Sequence, residues 1–465
     1  MHVSALLLLA ASAAASTVWS DWDKRQVCHP SQFLRPNSID AVVSLLRSLD
    51  GEKTTQVKVV GSGHSFSSIT LTDNVGSRHR GGPAGTITRP TFTKSVMLSL
   101  DAICNITQPP TWDEEEGGYV VRVGAGIRVH NLNDQLLDLG FALANTGAIA
   151  QQSVAGATQT GTHGTGRELG NMATQLTSLT LVLPNATVVT ASRSENRRIF
   201  DAARVGLGAL GIVVEVGLKV RKKFKLRRTT VAYNLDELLP ALPSLSERYP
   251  RLQWYYTPYT NNATLLLREA VDIGTEITGC WPGDLAELAA SAQGGNSSCV
   301  DWSFKALCHE ADDATLYTEM EYFVPVEKSM AFFQEFREFQ ESVKEEINCT
   351  EATKCALFTG MRYAKQDDIY LSPVFGRDIG VISMIVLGTP TQSGPPDVVS
   401  VFDKGLEQIA KKYSGRPHWG KLHFARRADL EPLYPRFQDF KAVREELDPN
   451  GMFLNDYLWR VLYDE

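Results

Sequence analysis

Two histidines in glycine-rich turns and three polar residues late in the chain are the groups here that could do chemistry. His64 stands in Val59-Val60-Gly61-Ser62-Gly63-His64-Ser65-Phe66-Ser67, where an apolar strand breaks into a turn. Glycine lets backbone bend tightly and approach a ligand closely, and the N–H groups of such a loop, with the nearby serine hydroxyls, suit a phosphate. An imidazole there is nucleophilic while neutral near physiological pH. His163 stands in Thr160-Gly161-Thr162-His163-Gly164-Thr165-Gly166, the end of a stretch from Leu139 that holds no Asp, Glu, Lys or Arg. So many small uncharged residues make neither a solvated loop nor a good core, which points to backbone laid against a large cofactor. Arg362, after Gly360-Met361, offers a cation to an electron-rich oxygen. His418 and Lys421 share His418-Trp419-Gly420-Lys421, which in isolation reads as a surface turn.

The elements that must hold these groups read as α+β. Ser38 caps a predicted helix with Ala41, Val42, Leu45, Leu46 and Leu49 on one face, and the strand Gln56 to Val60 leads into His64. Val121-Arg122-Val123 alternates before a second helix carrying Val129, Leu132, Leu136 and Leu139, with Gly140 as its C-cap. Leu179 to Leu183 and Ala186 to Thr190 predict a hairpin about Pro184-Asn185. Gly206 to Gly211 matches G-x-G-x-x-G, but a helical stretch precedes it and a strand follows. That order reverses a dinucleotide fingerprint, so the segment reads as a packing turn. The basic run Lys219 to Arg228 reads as a solvated strand at a domain boundary. Gln253 to Thr257 and Thr264 to Arg268 read as strands, with Trp254, Tyr255 and Tyr256 as core aromatics ahead of sugar platforms. Glu319 to Val324 leads to a helix with Phe332, Phe336, Phe339, Val343 and Ile347 on one face. Phe358 to Tyr363 is a predicted strand, and Asp397 opens a helix bearing Val401, Phe402, Leu406, Ile409 and Tyr413.

Gly61-Ser62-Gly63-His64-Ser65, the Gly161 to Gly166 run and His418-Trp419-Gly420-Lys421, in this order along nearly the whole chain, resemble a known family. It is the sugar-1,4-lactone oxidases (arabinono-, gulono- and gluconolactone types) of the vanillyl-alcohol-oxidase, or PCMH-type FAD-binding, superfamily. The resemblance implies a two-part PCMH-type FAD-binding domain over residues 21–219 and a sheet-and-helix cap, or substrate, domain over 220–414. Residues 415–465 would return to complete the active site. It implies FAD, linked covalently through His64 and cradled by Gly61, Ser62, Gly63, Ser65, Gly156, Gly161, Gly164, Thr165 and Gly166. His163 is implied as a hydrogen-bonding partner of the flavin rather than a catalyst. Lys421 is expected beside the flavin N1 and C2 oxygen, His418 in the active-site loop and Arg362 on the substrate. Gly147 aligns with an alanine that shields the flavin from oxygen in the plant galactonolactone dehydrogenase, which implies an oxidase releasing hydrogen peroxide. Relatives read Glu-x-Arg where this chain reads Gly360-Met361-Arg362, so the base stays open among Glu319, Glu321 and His418. The berberine-bridge branch is disfavoured, since Ala155 to Gly166 holds no second linking cysteine. The implied reaction converts the C2 hydroxyl of an aldonolactone with molecular oxygen to a 2-keto or ene-diol product. The alternatives are an oxidase of another polyol, oligosaccharide or secondary metabolite, and a flavin- or carbohydrate-binding protein with little turnover.

At 465 residues, 43% hydrophobic and 21% charged, the chain is long enough for two domains and a large core. A net charge of −7 argues against a nucleic-acid partner. Leu6 to Ala15, followed by small residues, reads as a secretory signal within residues 1–20, cleaved between Ala14 and Ser20 and lacking the usual basic start. Sequons at Asn105, Asn185, Asn262, Asn296 and Asn348 fit export and glycosylation. Seven cysteines, with Cys280, Cys299 and Cys308 clustered and Cys349 near Cys355, predict disulfides with one thiol left over. No other segment is apolar enough to span a bilayer, so a secreted protein is expected. No metal-ligand set is read.

Overall fold

The computed structural model describes residues 17–49, 53–73, 89–280, 296–308, 316–347, 358–387 and 398–464. Among them, short apolar runs build three main sheets. Gln32–Leu34, Lys94–Ser99 and Thr55–Val60 form a parallel sheet with Lys94–Ser99 in the middle. The helix Ile39–Ser48 joins its outer strands and buries Val42 and Leu46. Ser38 Oγ caps it, accepting from the Ala41 N–H at 3.1 Å, as the sequence indicates. The second sheet is antiparallel and runs Val188–Ser192, Leu176–Val182, Ile212–Lys222, Gly118–Gly124 and Ile106–Asp113, with Phe141–Ala142 paired to Ile212–Lys222. Its first two strands are the predicted hairpin. The helix Val129–Asp138 ends where Gly140 takes φ +85°, the left-handed turn expected of a C-cap.

The third sheet positions the chemistry. Its eight strands run Ser297–Trp302, Lys225–Asn234, Asn262–Val271, Gln253–Tyr256, Phe358–Ala364, Ile379–Leu387, Tyr317–Pro325 and Arg416–Pro417. Side chains alternate between faces with period two. Trp254, Tyr256, Met320, Tyr322, Met361 and Ile382 all point to one face, where the helices Leu235–Arg248, Ser329–Val343 and Val398–Lys412 cover them. Phe333 meets Trp254 edge-on at 4.7 Å between ring centroids. The opposite face turns toward the other two sheets. The basic run is two strands rather than one: it spans the break between Ile212–Lys222 and Lys225–Asn234, with Lys219, Arg221 and Arg227 exposed and Val220 and Leu226 buried as expected, but with Lys225 buried as well. Asp397 lies outside the described residues.

The cysteines depart from expectation. Among the described residues Cys280 and Cys299 form a disulfide, while Cys28, Cys104 and Cys308 keep their thiols, three where one was expected. Their surroundings differ: Cys28 packs with Val60 and Met97, while Cys308 sits 3.7 Å from the Gly147 carbonyl and from Thr146 Oγ1. Cys349 and Cys355 lie outside the described residues. No helix among the described residues is long and apolar enough to cross a membrane.

Candidate active site

Two cavities meet at Gln152. The larger, about 960 Å³, follows the turn after Thr55–Val60 and is lined by Gly61 to Ser65, Leu100, Gly126, Gly156, Thr160 and Gly208. That is the upper range of small-ligand sites. Space dictates glycine at position 61, because a Cβ there would stand 2.5 Å from Ser153 Oγ. That hydroxyl is committed, accepting from the Gly156 N–H at 3.2 Å to cap Val154–Gln159. Gly63 takes φ +76°, which a side chain would strain. The Gly206 to Gly211 turn follows the helix Arg197–Ala203 and precedes Ile212–Lys222, so the reversed order stands, and it contributes Leu207, Gly208 and Gly211 to the cavity wall.

His64 lines this cavity and stacks on Trp22, with 5.1 Å between centroids and 26° between planes. The Trp22 N–H donates to the Gly63 carbonyl at 2.9 Å. Trp22 lies between Asp21 and Asp23, two buried carboxyls of one ribbon. Burial, then the bond to Asp23 and its charge, pushes the Asp21 carboxyl up to about 8. Behind the turn, Lys58 donates to the Phe453 carbonyl at 3.0 Å, and burial pulls its ammonium down to about 8.

The second cavity, about 610 Å³, lies on the open face of the eight-stranded sheet. Tyr317–Pro325 presents Tyr317, Glu319 and Glu321 to it at alternate positions. Arg362 contacts Glu321 Oε1 and stands 3.9 Å from Glu319 Oε1, while Lys421 contacts Glu319 Oε2. His163 donates from Nδ1 to the Gly164 carbonyl at 2.8 Å and points Nε2 at Glu321 Oε1, 3.3 Å away. Two carboxylates thus meet two cations under near-complete burial. Burial pushes the Glu321 carboxyl up, but the Arg362 guanidinium and then His163 outweigh it and hold it well below the usual range. Burial drives His418 down to about 3, so its imidazole is neutral at physiological pH. Its Nδ1 accepts the Gly420 N–H at 3.0 Å, which leaves the ring proton on Nε2. His163, Glu321 and His418 offer ligand atoms within 4.8 Å of one another. With Arg362 already on Glu321, the cluster is a charge network rather than a cation site.

Backbone hydrogen bonds wire the two cavities together. The His418 N–H donates to the Glu321 carbonyl at 3.0 Å and the Leu422 N–H to the Glu319 carbonyl at 3.2 Å, so the His418–Lys421 segment runs along the edge of that strand. It is tied to the His64 turn by Phe66 N–H to Gly420 carbonyl at 2.7 Å and Ser67 Oγ to Trp419 carbonyl at 2.7 Å. Trp419 is fully buried, with Nε1 donating to the Leu371 carbonyl at 2.7 Å, which makes this segment an anchored site wall and not a surface turn.

Of the residues named from the sequence, His64, Gly61, Ser62, Gly63, Ser65 and Gly156 line the larger cavity, and Gly147, His163, Arg362, His418 and Lys421 the smaller. Gly161, Gly164, Thr165 and Gly166 line neither. They are buried behind the wall as a seam: Thr165 Oγ1 donates to the Leu252 carbonyl at 2.6 Å and the Gly166 N–H to the Tyr363 carbonyl at 2.8 Å. A Cβ at Gly164 would sit 2.3 Å from the Thr146 carbonyl, so close backbone packing, not ligand contact, requires that glycine. At Gly147 a Cβ would point at Thr162 Cγ2, 2.8 Å away, so the room beside it is bounded by that methyl. Sequence reading missed Gln152, Tyr317 and Ser383 in the walls and put Tyr255 in the core. Strand alternation splits Trp254-Tyr255-Tyr256 and turns Tyr255 alone into the cavity.

Known proteins resemble this chain in sequence and in fold. A family model described as D-arabinono-1,4-lactone oxidase matches residues 283–461, and one described as FAD binding domain matches residues 72–192. The chain is 29% identical to an L-gulonolactone oxidase of Bos taurus over 468 residues, covering 96% of this chain and 98% of that one. It is 29% identical to an L-gulono-1,4-lactone dehydrogenase of Mycobacterium tuberculosis over 474 residues, covering 96% and 99%. A D-arabinono-1,4-lactone oxidase of Kluyveromyces lactis is 30% identical over 260 residues, 56% of this chain and 45% of the relative. In fold, the chain is similar to a cholesterol oxidase from Brevibacterium sterolicum at TM-score 0.71 and 15% identity, over 96% of this chain and 97% of the other.

Proposed function

The chain belongs to the PCMH-type FAD-binding family of sugar-lactone oxidases and dehydrogenases, and on that premise we propose that it oxidises the C2 hydroxyl of an aldonolactone and hands the electrons to molecular oxygen. FAD fits the larger cavity. Its glycine turn packs so closely on Ser153 and on Asp21 and Trp22 that backbone alone faces the cavity, and Gln152 Oε1 is buried where the cavities meet, with no hydrogen-bond partner among the described residues. Gly61, Ser62, Gly63, Ser65 and Gly156 would hold the cofactor, and His64 would carry the covalent link. When bound, FAD supplies the two-electron acceptor for the alcohol.

The protein's own groups do the rest. Arg362, fixed by Glu321, offers its remaining N–H donors to a substrate oxygen. Lys421 supplies positive charge where negative charge develops, a preorganised effect worth about 3–4 kcal/mol when removed from comparable sites. His418, neutral with its proton on Nε2, is a donor and not a base. Burial pushes the Tyr255 and Tyr317 phenols up, so both remain neutral wall groups. The observation that carries the reading is the buried array of Arg362, Lys421 and two carboxylates, joined through Gln152 to a glycine-walled cavity.

Oxygen as acceptor is supported by Gly147, which offers backbone but no side chain to the substrate cavity. Export is supported by the leader-like first residues and by sequons at Asn105, Asn185 and Asn296 that are exposed. Hydrogen peroxide release on glucono-, arabinono- and gulonolactones tests the function, and no release with any of them by flavin-loaded protein would sink it. Acid denaturation should leave yellow colour on the chain, and His64→Ala should release it.

A further inference from the structure

We propose that Glu319 is the carboxylate that takes the hydroxyl proton from the substrate, a role for which the neighbouring strand has only Gly360 to offer. The inference rests on the lactone-oxidising reading above. Four strands face the cavity in register: Tyr255 pairs with Gly360, Gly360 with Ser383, and Ser383 with Glu321. A side chain at 360 has no room, because its Cβ would stand 2.8 Å from Ser383 Oγ and 3.0 Å from the Tyr255 ring. Carboxylate function on this face therefore falls to the Tyr317–Pro325 strand.

Three groups there compete, and geometry separates them. His418 uses Nδ1 to accept the Gly420 N–H and holds its proton on Nε2, so it has no basic nitrogen to present. Glu321 is held by Arg362 and faced by His163, and its side chain is 1% exposed. Those partners hold it far below the usual carboxylate range, which makes it a poor acceptor. Glu319 lies two residues earlier on the same face, level with Ile385 in the cavity wall. Lys421 holds only its Oε2; the cation facing Oε1 is Arg362 at 3.9 Å, beyond hydrogen-bond reach. Oε1 is therefore placed to accept a hydroxyl held between Arg362 and Lys421.

In the proposed step the O–H bond breaks and its proton passes to Glu319 Oε1. FAD, when bound, would accept the hydrogen of the adjacent C–H bond together with its electron pair. The carbinol becomes a ketone, and the carboxyl returns its proton to water. Positioned bases of this kind contribute on the order of 10²–10⁴ in rate.

The test compares wild type, Glu319→Gln, Glu319→Asp and Glu319→Ala as flavin-loaded proteins. Anaerobic bleaching of the flavin by lactone should fall on the order of 10²–10⁴-fold in Glu319→Gln, with Glu319→Asp between it and wild type. Added formate should restore part of the rate to Glu319→Ala. Calorimetric affinity for a 2-deoxylactone, which has no hydroxyl to deprotonate, should be unchanged in Glu319→Gln, and so should the flavin spectrum, while its melting temperature falls because Lys421 loses its partner. Wild-type bleaching with a Glu319→Gln rate within threefold of it overturns the inference alone. So does a loss that formate cannot relieve and that tracks weakened 2-deoxylactone binding, since that marks a structural strut for Lys421. A wild type that no lactone bleaches overturns the lactone reading and this inference together.

Discussion

At the residue scale the site is a balance of buried charge. Removing one member of a buried pair leaves its partner uncompensated, at a cost of about 3–5 kcal/mol. Arg362→Met should therefore lower stability by that order in denaturant titration, and adding Glu321→Gln should recover most of it. Arg362→Ala as a lone variant would confuse lost folding with lost binding. Lys421→Met should slow lactone-driven flavin reduction on the order of 10²–10³-fold with a smaller effect on lactone affinity, measured by stopped-flow absorbance. Gly147→Ala must displace the Thr162 methyl, so it should slow reoxidation by oxygen, and Gly147→Ala with Thr162→Ser should regain part of that rate. If Gly147→Ala reoxidises as fast as wild type, the oxygen path does not pass that backbone.

At the scale of elements, the ribbon of Trp19–Ser20 and Val27–Cys28 carries Trp22 onto His64 and houses the Asp21 and Asp23 carboxyls. The folded protein binds the Asp21 proton more tightly than an unfolded chain would. Its contribution to stability is complete below about pH 4 and is lost as pH climbs through about 8. Melting temperature should fall across that window in wild type and fall less in Asp21→Asn, with tryptophan fluorescence reporting whether the stack on His64 loosens. Arg25, 3.4 Å from Asp23, should limit the effect. Local patterns made much of this level legible: the Ser38 cap, the Gly140 stop, the hairpin about Pro184-Asn185 and the glycine turn before His64 are each written within a few residues. Partnerships distant in sequence were not. Nothing near His64 announces Trp22, which arrives from 42 positions earlier through a ribbon two residues wide. The Trp254-Tyr255-Tyr256 run could not be split without knowing which strand face looks at the cavity. The Gly161 to Gly166 run advertised close approach correctly, but the approaching partners are protein: the Thr146 carbonyl at Gly164 and the Tyr363 carbonyl at Gly166.

At the scale of the whole molecule, one hydrophobic core includes Val42 and Leu46 from the beginning and Tyr457 and Val461 from the end, while a second lies wholly beneath the eight-stranded sheet. The larger cavity is lined by Lys58 to Val60 of the parallel sheet and by Val213 of the antiparallel sheet, so a cofactor seated there would bridge the two and stabilise the native form by mass action. Stripped His64→Ala protein should melt lower than wild type and regain stability with added FAD, about 2.7 kcal/mol when the ligand reaches a hundred times its dissociation constant. A melting temperature indifferent to FAD would contradict the assignment of that cavity.

The strand Thr55–Val60 has its outer edge closed by the far end of the chain. Val57 N–H, Gln56 Nε2 and Lys58 Nζ donate to the carbonyls of Met452, Leu454 and Phe453 in turn, and Asn455 binds the carbonyls of Ser68, Ile69 and Leu71. During synthesis at roughly 5–20 residues per second, this edge stays bare until the ribosome has delivered those last partners. A cradle with its edge closed is thus a late event in the life of each molecule, and a message truncated just ahead of Met452 would yield a polypeptide with every glycine of its cradle, the Trp419 and Gly420 ties to the His64 turn, and a bare outer strand.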